Sequence, residues 1–306
     1  MTPLTVAFCT YNRADRLPGL VAALRQQRAP LPFDLLAVDN ASTDATRAVL
    51  DALAAGPGAA LRVVTESEQG IVPARNRALA ESLDRDWLVF IDDDELPAPG
   101  WLAAACDGLT REAADCVGGH IEIDYGTAAR PRWLDDEIAA FLGRLDHGPQ
   151  AFWIESDRTP LWSGNTGYAM RIFREAPALR FDARYNRAGA GVGGGEDAMM
   201  FRSLLARGAR MRYRPDMRIY HGVDPWKLRR AYFLRLHYQA GLRAGRHALP
   251  DYPRTCFGMP PFLLGQAARQ FGRAAALHLG GRPGALRQAM NAAHALGCAV
   301  GYRRRA

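Results

Sequence analysis

Three aspartates in a row, Asp92-Asp93-Asp94, follow directly on the apolar run Trp87-Leu-Val-Phe-Ile91. Adjacent carboxylates repel one another, and the repulsion is costly unless positive charge offsets it. A hard divalent cation such as magnesium or manganese, with the phosphates it binds, supplies that charge through oxygen ligands. A solvated acidic loop is the simpler account of an isolated run of aspartates. Placement at the end of an apolar strand favours the metal-and-phosphate chemistry instead. A second acid pair, Glu196-Asp197, follows the glycine-rich stretch Gly189-Ala-Gly-Val-Gly-Gly-Gly195 and opens a helical pattern over 197–207. Paired acids raise each other's pKa, which suits one of them to general-base work. Capping the helix is the competing role for Glu196.

Such residues need a scaffold that brings them together. Short apolar runs at Leu4–Thr10, Phe33–Asp39, Leu61–Thr65 and Trp87–Ile91 alternate with helical patterns, the first carrying Leu17, Leu20, Val21 and Leu24. The next helices are expected over 43–54, where Asp44 reads as a cap, and 73–83. This alternation predicts an α/β fold with a mostly parallel, Rossmann-like sheet and helices on both faces. Polar clusters close the strands at Thr10-Tyr-Asn-Arg, Asp39-Asn-Ala-Ser-Thr-Asp and Asp92-Asp-Asp-Glu. Ligands of open α/β sheets bind outside those carboxyl ends. Further strands are expected near 116–123 and 168–172. The last eighty residues read as helices, with apolar stripes at Leu264, Ala267, Ala268, Phe271, Ala275 and at Leu286, Ala289, Met290, Ala293, Leu296, Val300. The expected division is a catalytic domain over 1–224, with halves 1–98 and 99–224, and a helical extension over 225–306.

Charge sharpens that division. Fourteen Lys/Arg face one acid, Asp251, from Pro225 onward, while the remainder carries 25 bases and 31 acids. The basic extension can lie on anionic lipid, with Phe262, Leu264 and Phe271 dipping into the interface. It can equally pack those faces on the rest of the protein. Nucleic-acid binding ranks third, since no recognised module is present and the first part is acidic. No run of 18 apolar residues occurs, so no spanning helix is expected. Five dispersed cysteines without a CxxC pair or a secretory leader predict a cytoplasmic protein, peripheral at the inner membrane face if the basic extension meets lipid.

An ordered set of motifs resembles glycosyltransferase family 2, whose members have the GT-A fold. It comprises Thr10-Tyr-Asn-Arg13, Val38-Asp-Asn-Ala-Ser-Thr-Asp44, Ala74-Arg-Asn-Arg-Ala78 and Phe90-Ile-Asp-Asp-Asp-Glu95, followed by Gly164-Asn165, Phe181-Asp182 and Gly195-Glu-Asp197. The set covers about residues 4–221, and basic helical tails occur in family members that build bacterial exopolysaccharide.

The resemblance implies roles. Asp92 and Asp94 would form the DxD pair, with Asp94 on an Mn2+ or Mg2+ ion and Asp92 nearer the ribose. Asp39 and Arg75 would read the base, usually uracil, with Tyr11 lining it and Thr10, Arg13 and Asp93 completing the nucleotide site. Asp197 would be the catalytic base and His221, in Ile-Tyr-His-Gly, would complete the metal site. Trp162, Asn165 and Glu196 are the candidates for donor or acceptor sugar; Trp133 and Trp153 are more readily core residues. The implied reaction is inverting, metal-dependent, non-processive sugar transfer from a nucleotide-sugar, UDP-linked, to a saccharide or lipid-linked glycan. Gln239-Ala-Gly-Leu-Arg243 lacks the QxxRW spacing of the processive members. Competing readings are a sugar-nucleotide nucleotidyltransferase, which would carry a glycine-rich basic loop after the first strand, and an inactive nucleotide-sugar-binding protein.

Overall fold

A computed structural model describes residues 3–187 and 191–305. Gly189 and Ala190, at the start of the glycine-rich stretch, lie outside the described residues. Four strands, β1 (Leu4–Thr10), β2 (Phe33–Asp39), β3 (Leu61–Thr65) and β4 (Trp87–Ile91), run parallel in the order β3-β2-β1-β4. Their connections are the helices α1 (Leu17–Arg25), α2 (Thr46–Ala54) and α3 (Ile71–Ala80). Continuous apolar runs suit strands covered on both faces, and β1, β2 and β4 are buried along nearly their whole length. α1 turns Leu17, Leu20, Val21 and Leu24 inward, at the spacing of one helical face.

Beyond β4 come β5 (Glu95–Pro97), α4 (Trp101–Thr110), β6 (Cys116–Asp124), α5 (Asp136–Ala139), β7 (Phe152–Trp153), β8 (Asn165–Ala169), α6 (Arg171–Glu175), α7 (Glu196–Ala206) and β9 (Met211–Gly222). β8 inserts antiparallel between β4 and β6, whereas β9 runs parallel to β6 and antiparallel to β5 and β7. Among the described residues the sheet order is β3-β2-β1-β4-β8-β6-β9-β5. The expected parallel arrangement thus holds for the first four strands, and the later strands make the sheet mixed. The β6–β9 register shifts between Gly119 and Ile121. A Cβ at Gly119 would collide with the Met217 carbonyl, so only glycine fits this irregularity.

Among the described residues the chain forms two compact units. The first holds 3–129, 142–187 and 196–223, and the second holds 130–141, 191–195 and 224–305. Two segments that the sequence reading assigned to the acceptor half therefore pack with the C-terminal helices. The second unit is built on α5, α8 (Arg230–Arg243), α9 (Pro261–Leu279) and α10 (Ala285–Arg303), with a π-helical turn at Ala244–Ala248 continuing α8. A small core of Leu263, Ala299 and Tyr302 lies inside it. No helix among the described residues is long and apolar enough to cross a membrane.

α8 and α10 meet backbone to backbone. A Cβ on Gly241 would strike the His294 carbonyl, and one on Gly245 the Cys298 carbonyl. From the other side, Gly297 faces the Tyr238 carbonyl and Gly301 the Leu242 carbonyl. Each helix carries its glycines four residues apart, so one contact face is smooth over two turns. Of the apolar stripe expected on α10, Met290 is buried. Leu286, Ala289, Ala293 and Leu296 instead line an open groove, because the glycine face, not the most apolar one, is turned to α8. Gly297→Ala should cost about 1–3 kcal/mol by overpacking. Melting of the variant would show it, and an unchanged midpoint would mean that the helices separate freely.

Candidate active site

The site is assembled around Arg75 on α3. Its guanidinium is buried and forms two ion pairs, Nη2 to Asp92 Oδ1 and Nη1 to Glu196 Oε1, both 2.9 Å. Phe181 supplies an aromatic face, its ring centroid 5.7 Å from the Arg75 Cζ. The neighbouring Asn76 holds that ring in place: its Nδ2 donates to the Phe181 carbonyl and its Oδ1 accepts the Phe181 N–H, each at 2.9 Å. The ordered motifs Ala74–Ala78 and Phe181-Asp182 are thereby two sides of one clamp. Among the described residues Arg75 Nε and Glu196 Oε2 are buried without a hydrogen-bond partner, so the pair keeps unspent polarity inside the site.

The charge of Arg75 lies between the end of β4 and the start of α7. Asp39 is also buried, and its Oδ1 accepts the Ser42 N–H at 3.1 Å, ordering the turn after β2. Asp44 was expected to cap α2, but the N-cap position is Ala45 and makes no side-chain cap; Asp44 instead accepts the Thr46 N–H at 2.9 Å in a turn just ahead of the helix.

The cleft lies at the carboxyl ends of β1 and β2, with a volume of about 140 Å³. Thr10, Tyr11, Arg13 and Asp93, the nucleotide-site candidates, line it together with Asn40, Gln69 and Arg187, which no motif singles out. Enclosed small-molecule sites span about 300–1,000 Å³, so this one seats a ring-sized part of a ligand and leaves the rest open. Asn40 shapes the floor by donating to the carbonyls of Glu66 and Glu68 and accepting from Gly70 N–H. Gly70, at φ 139°, faces the Asn186 side chain so closely that no Cβ fits. Asparagine in a turn signals local backbone bonding, the clue that would have marked Asn40.

Asp94 and His221 come together because β5, starting one residue after Asp94, pairs with the end of β9, Glu95 opposite His221. His221 Nε2 lies 3.4 Å from Asp94 Oδ2, and both side chains are largely shielded. Among the described residues no three His, Cys, Asp or Glu side chains form a group able to hold a metal by themselves. One carboxylate and one imidazole nevertheless fit an ion that completes its shell with phosphate and water oxygens, as Mg2+ and Mn2+ do.

The acids around this point are under electrostatic pressure. Burial, then the Asp94 charge, pushes Asp93 up to about 7, with the Thr10 hydroxyl and Arg13 pulling the other way. Glu95, which accepts the Asp92 N–H at 2.8 Å, is raised well above the carboxylate range by burial and by Asp92 and Asp94. Gly164 leaves room for this cluster: a Cβ there would press on Glu95 and Asp92 oxygens at 2.7–2.9 Å. Asp197, at the first turn of α7, is pushed up to about 6 by burial and then by Glu196, against the pull of Arg75.

The sugar candidates separate. Asn165 is buried and fully engaged, accepting from Trp101 Nε1 at 2.7 Å and donating to the His120 and Met217 carbonyls. It ties β8 to its neighbours, and both of its amide N–H groups are used in doing so. Glu196 uses Oε1 on Arg75 and keeps Oε2 without a partner among the described residues. Trp162 is half-buried against the main core. Trp153 carries the guanidinium groups of Arg210 and Arg212 within 5 Å of its ring, and Trp133 packs edge-on to Phe233.

A sheet that is parallel through its first four strands and mixed beyond them, with acids at its strand ends, has the GT-A architecture. Residues 5–176 match the profile described as glycosyl transferase family 2, and the chain belongs to that family. It is 25% identical over 249 residues to the succinoglycan biosynthesis protein ExoM of Rhizobium meliloti, covering 79% of this chain and 74% of that one. Identity to ExoU of the same organism is 26% over 212 residues, 68% of this chain and 58% of that one. Among solved structures, the mannosyltransferase PcManGT from Pyrobaculum calidifontis, in complex with GDP-Man and Mn2+, superposes with a TM-score of 0.62 at 20% identity over 98% of this chain and 87% of its own. S. aureus TarS with UDP gives 0.55 at 17% identity, covering 81% and 67%.

Removing Arg75 leaves the buried Glu196 carboxylate without compensation and the partly exposed Asp92 without its partner, a loss of about 3–5 kcal/mol. Arg75→Met should therefore destabilise the protein strongly, and Arg75→Met with Glu196→Met much less. Equal losses in urea unfolding would mean that the ion pair is not the reason for the destabilisation.

Proposed function

We propose that the enzyme transfers a sugar from a nucleoside-diphosphate sugar, UDP-linked, to a hydroxyl of a saccharide or lipid-linked glycan, with inversion at the anomeric carbon. The acceptor oxygen attacks that carbon, its proton passes to the Asp197 carboxylate, and the bond to the diphosphate breaks. Nucleoside diphosphate leaves with the electron pair. The observation that carries this reading is the Arg75 bridge, which joins Asp92 of the DxD pair to Glu196, the residue beside Asp197. A general base works best with a pKa near the operating pH, and the raised carboxyl of Asp197 supports that role.

Tyr11, Thr10, Arg13 and Asp93 would bind the nucleotide in the cleft after β1, with Asp92 next to the ribose. Asp94 and His221 would hold a divalent cation, whose contribution when bound is charge neutralisation at the departing diphosphate. Arg75 acts as a positioning residue that fixes both acid clusters. Transfer is non-processive, one sugar per acceptor visit.

Asp197→Asn should keep nucleotide binding while transfer falls by about 10²–10⁴-fold. In the wild type, kcat/KM should fall about tenfold per pH unit below about 6, where Asp197 takes up a proton, and level off above it. Near-normal turnover of the variant would remove Asp197 as the base. Separately, Mn2+ should raise the UDP-bound melting temperature of the wild type but not of Asp94→Ala. The metal assignment fails if UDP with Mn2+ stabilises both proteins equally.

A further inference from the structure

The second unit has an apolar surface that nothing in that unit covers. Leu286, Ala289, Ala293 and Leu296 of α10 lie three and four residues apart and line a groove of about 1080 Å³. Leu234 and Tyr238 of α8 and Phe271 of α9 line it as well. Phe271 and Leu296 are 48% and 40% exposed, so the lining is open to solvent.

The charges on this groove are unequal. Arg230, Arg235, Arg282, Arg287 and His278 line it, against the acids Asp135 and Glu137. Glu137 is engaged by Arg287 at 3.0 Å, and Asp135 caps α5 by accepting the Ile138 N–H at 2.8 Å. Arg230 lies over the Trp133 ring, 5.6 Å from its centroid. Among the described residues, Arg230, Arg235 and Arg282 have no carboxylate partner. Three uncompensated guanidinium groups beside a long apolar lining call for a ligand with the same two parts, a hydrocarbon body and a compact anion. A second copy would bring another strongly basic unit to the same place and be repelled. A free phosphate would leave the lining wet, and a neutral hydrocarbon would leave the arginines unanswered.

We propose that this groove binds the hydrocarbon chain of a lipid phosphate, with Arg235 and Arg282 on the phosphate. The inference deepens the proposed function, since it gives the lipid end of a lipid-linked acceptor its own site, and it rests on that reading for its meaning in transfer.

The test uses the full chain and monomeric tetradecyl phosphate below its micelle concentration, with binding followed by calorimetry and native mass spectrometry. One lipid per chain is expected. Ala293→Trp, which fills the groove, and Arg235→Glu with Arg282→Glu should each weaken binding tenfold or more at unchanged melting temperature. Tetradecanol and inorganic phosphate should bind at least tenfold more weakly than the amphiphile. Wild-type binding by a folded Ala293→Trp overturns the proposal, as does equal binding of tetradecanol. Adsorption to anionic vesicles that survives Ala293→Trp, with no binding of the monomeric lipid, assigns a surface contact instead of a groove. A dimer dissolved by Ala293→Trp assigns the groove to a second copy. Hydrolysis of nucleotide sugars by the wild type is measured alongside: its absence with lipid binding intact defeats the proposed function and leaves the groove standing.

Discussion

A guanidinium held out of water between two carboxylates is the constraint around which the catalytic unit is arranged. Burying an ion costs several kcal/mol, and attraction recovers it only when the partners are well placed. Arg75 meets that condition because three separate elements converge on it: α3 brings the arginine, the end of β4 brings Asp92, and the start of α7 brings Glu196. Moving any one of them leaves a bare charge in the interior. The cleft side and the acid-pair side of the site are consequently fixed to each other by electrostatics, although 121 residues separate Arg75 from Glu196.

The same economy explains the acids that remain. Asp93, Glu95 and Asp197 all titrate above the ordinary carboxylate range, chiefly because they are buried and then because they face like charge. Arg75 answers part of that charge, and a cation with its phosphates suits the rest. A strand end crowded with oxygen donors is therefore poorly satisfied alone and well satisfied in complex, the condition for binding energy to be drawn from the site's own repulsion.

Much of this was legible from residue order, and the exceptions have physical causes. The first four strands fall where their apolar runs stand, since a strand buried on both faces writes itself continuously into the chain. Asp94 and His221 meet as the family resemblance implied, but the reason, the pairing of β5 with β9, is a long-range match that no local pattern carries. The two ion pairs of Arg75 are equally illegible locally, since sequence does not reveal which charges are buried together. On α10, Leu286, Ala289, Ala293 and Leu296 belong to the apolar stripe that spacing marks, while the tight contact with α8 runs through Gly297 and Gly301. Periodicity identifies an apolar stripe and is silent about what covers it. The joining of 130–141 and 191–195 to the helical unit is likewise a matter of tertiary packing.

β9 gives the molecule an internal proofreader. It pairs with β6 along most of its length, changes register opposite Gly119, and only then sets His221 across from Glu95. Side chains alternate faces along a strand, so a slip of a single residue would turn His221 away from Asp94 entirely. The contact at this strand end therefore has no half-formed version: a chain that has misaligned its sheet has also parted His221 from Asp94.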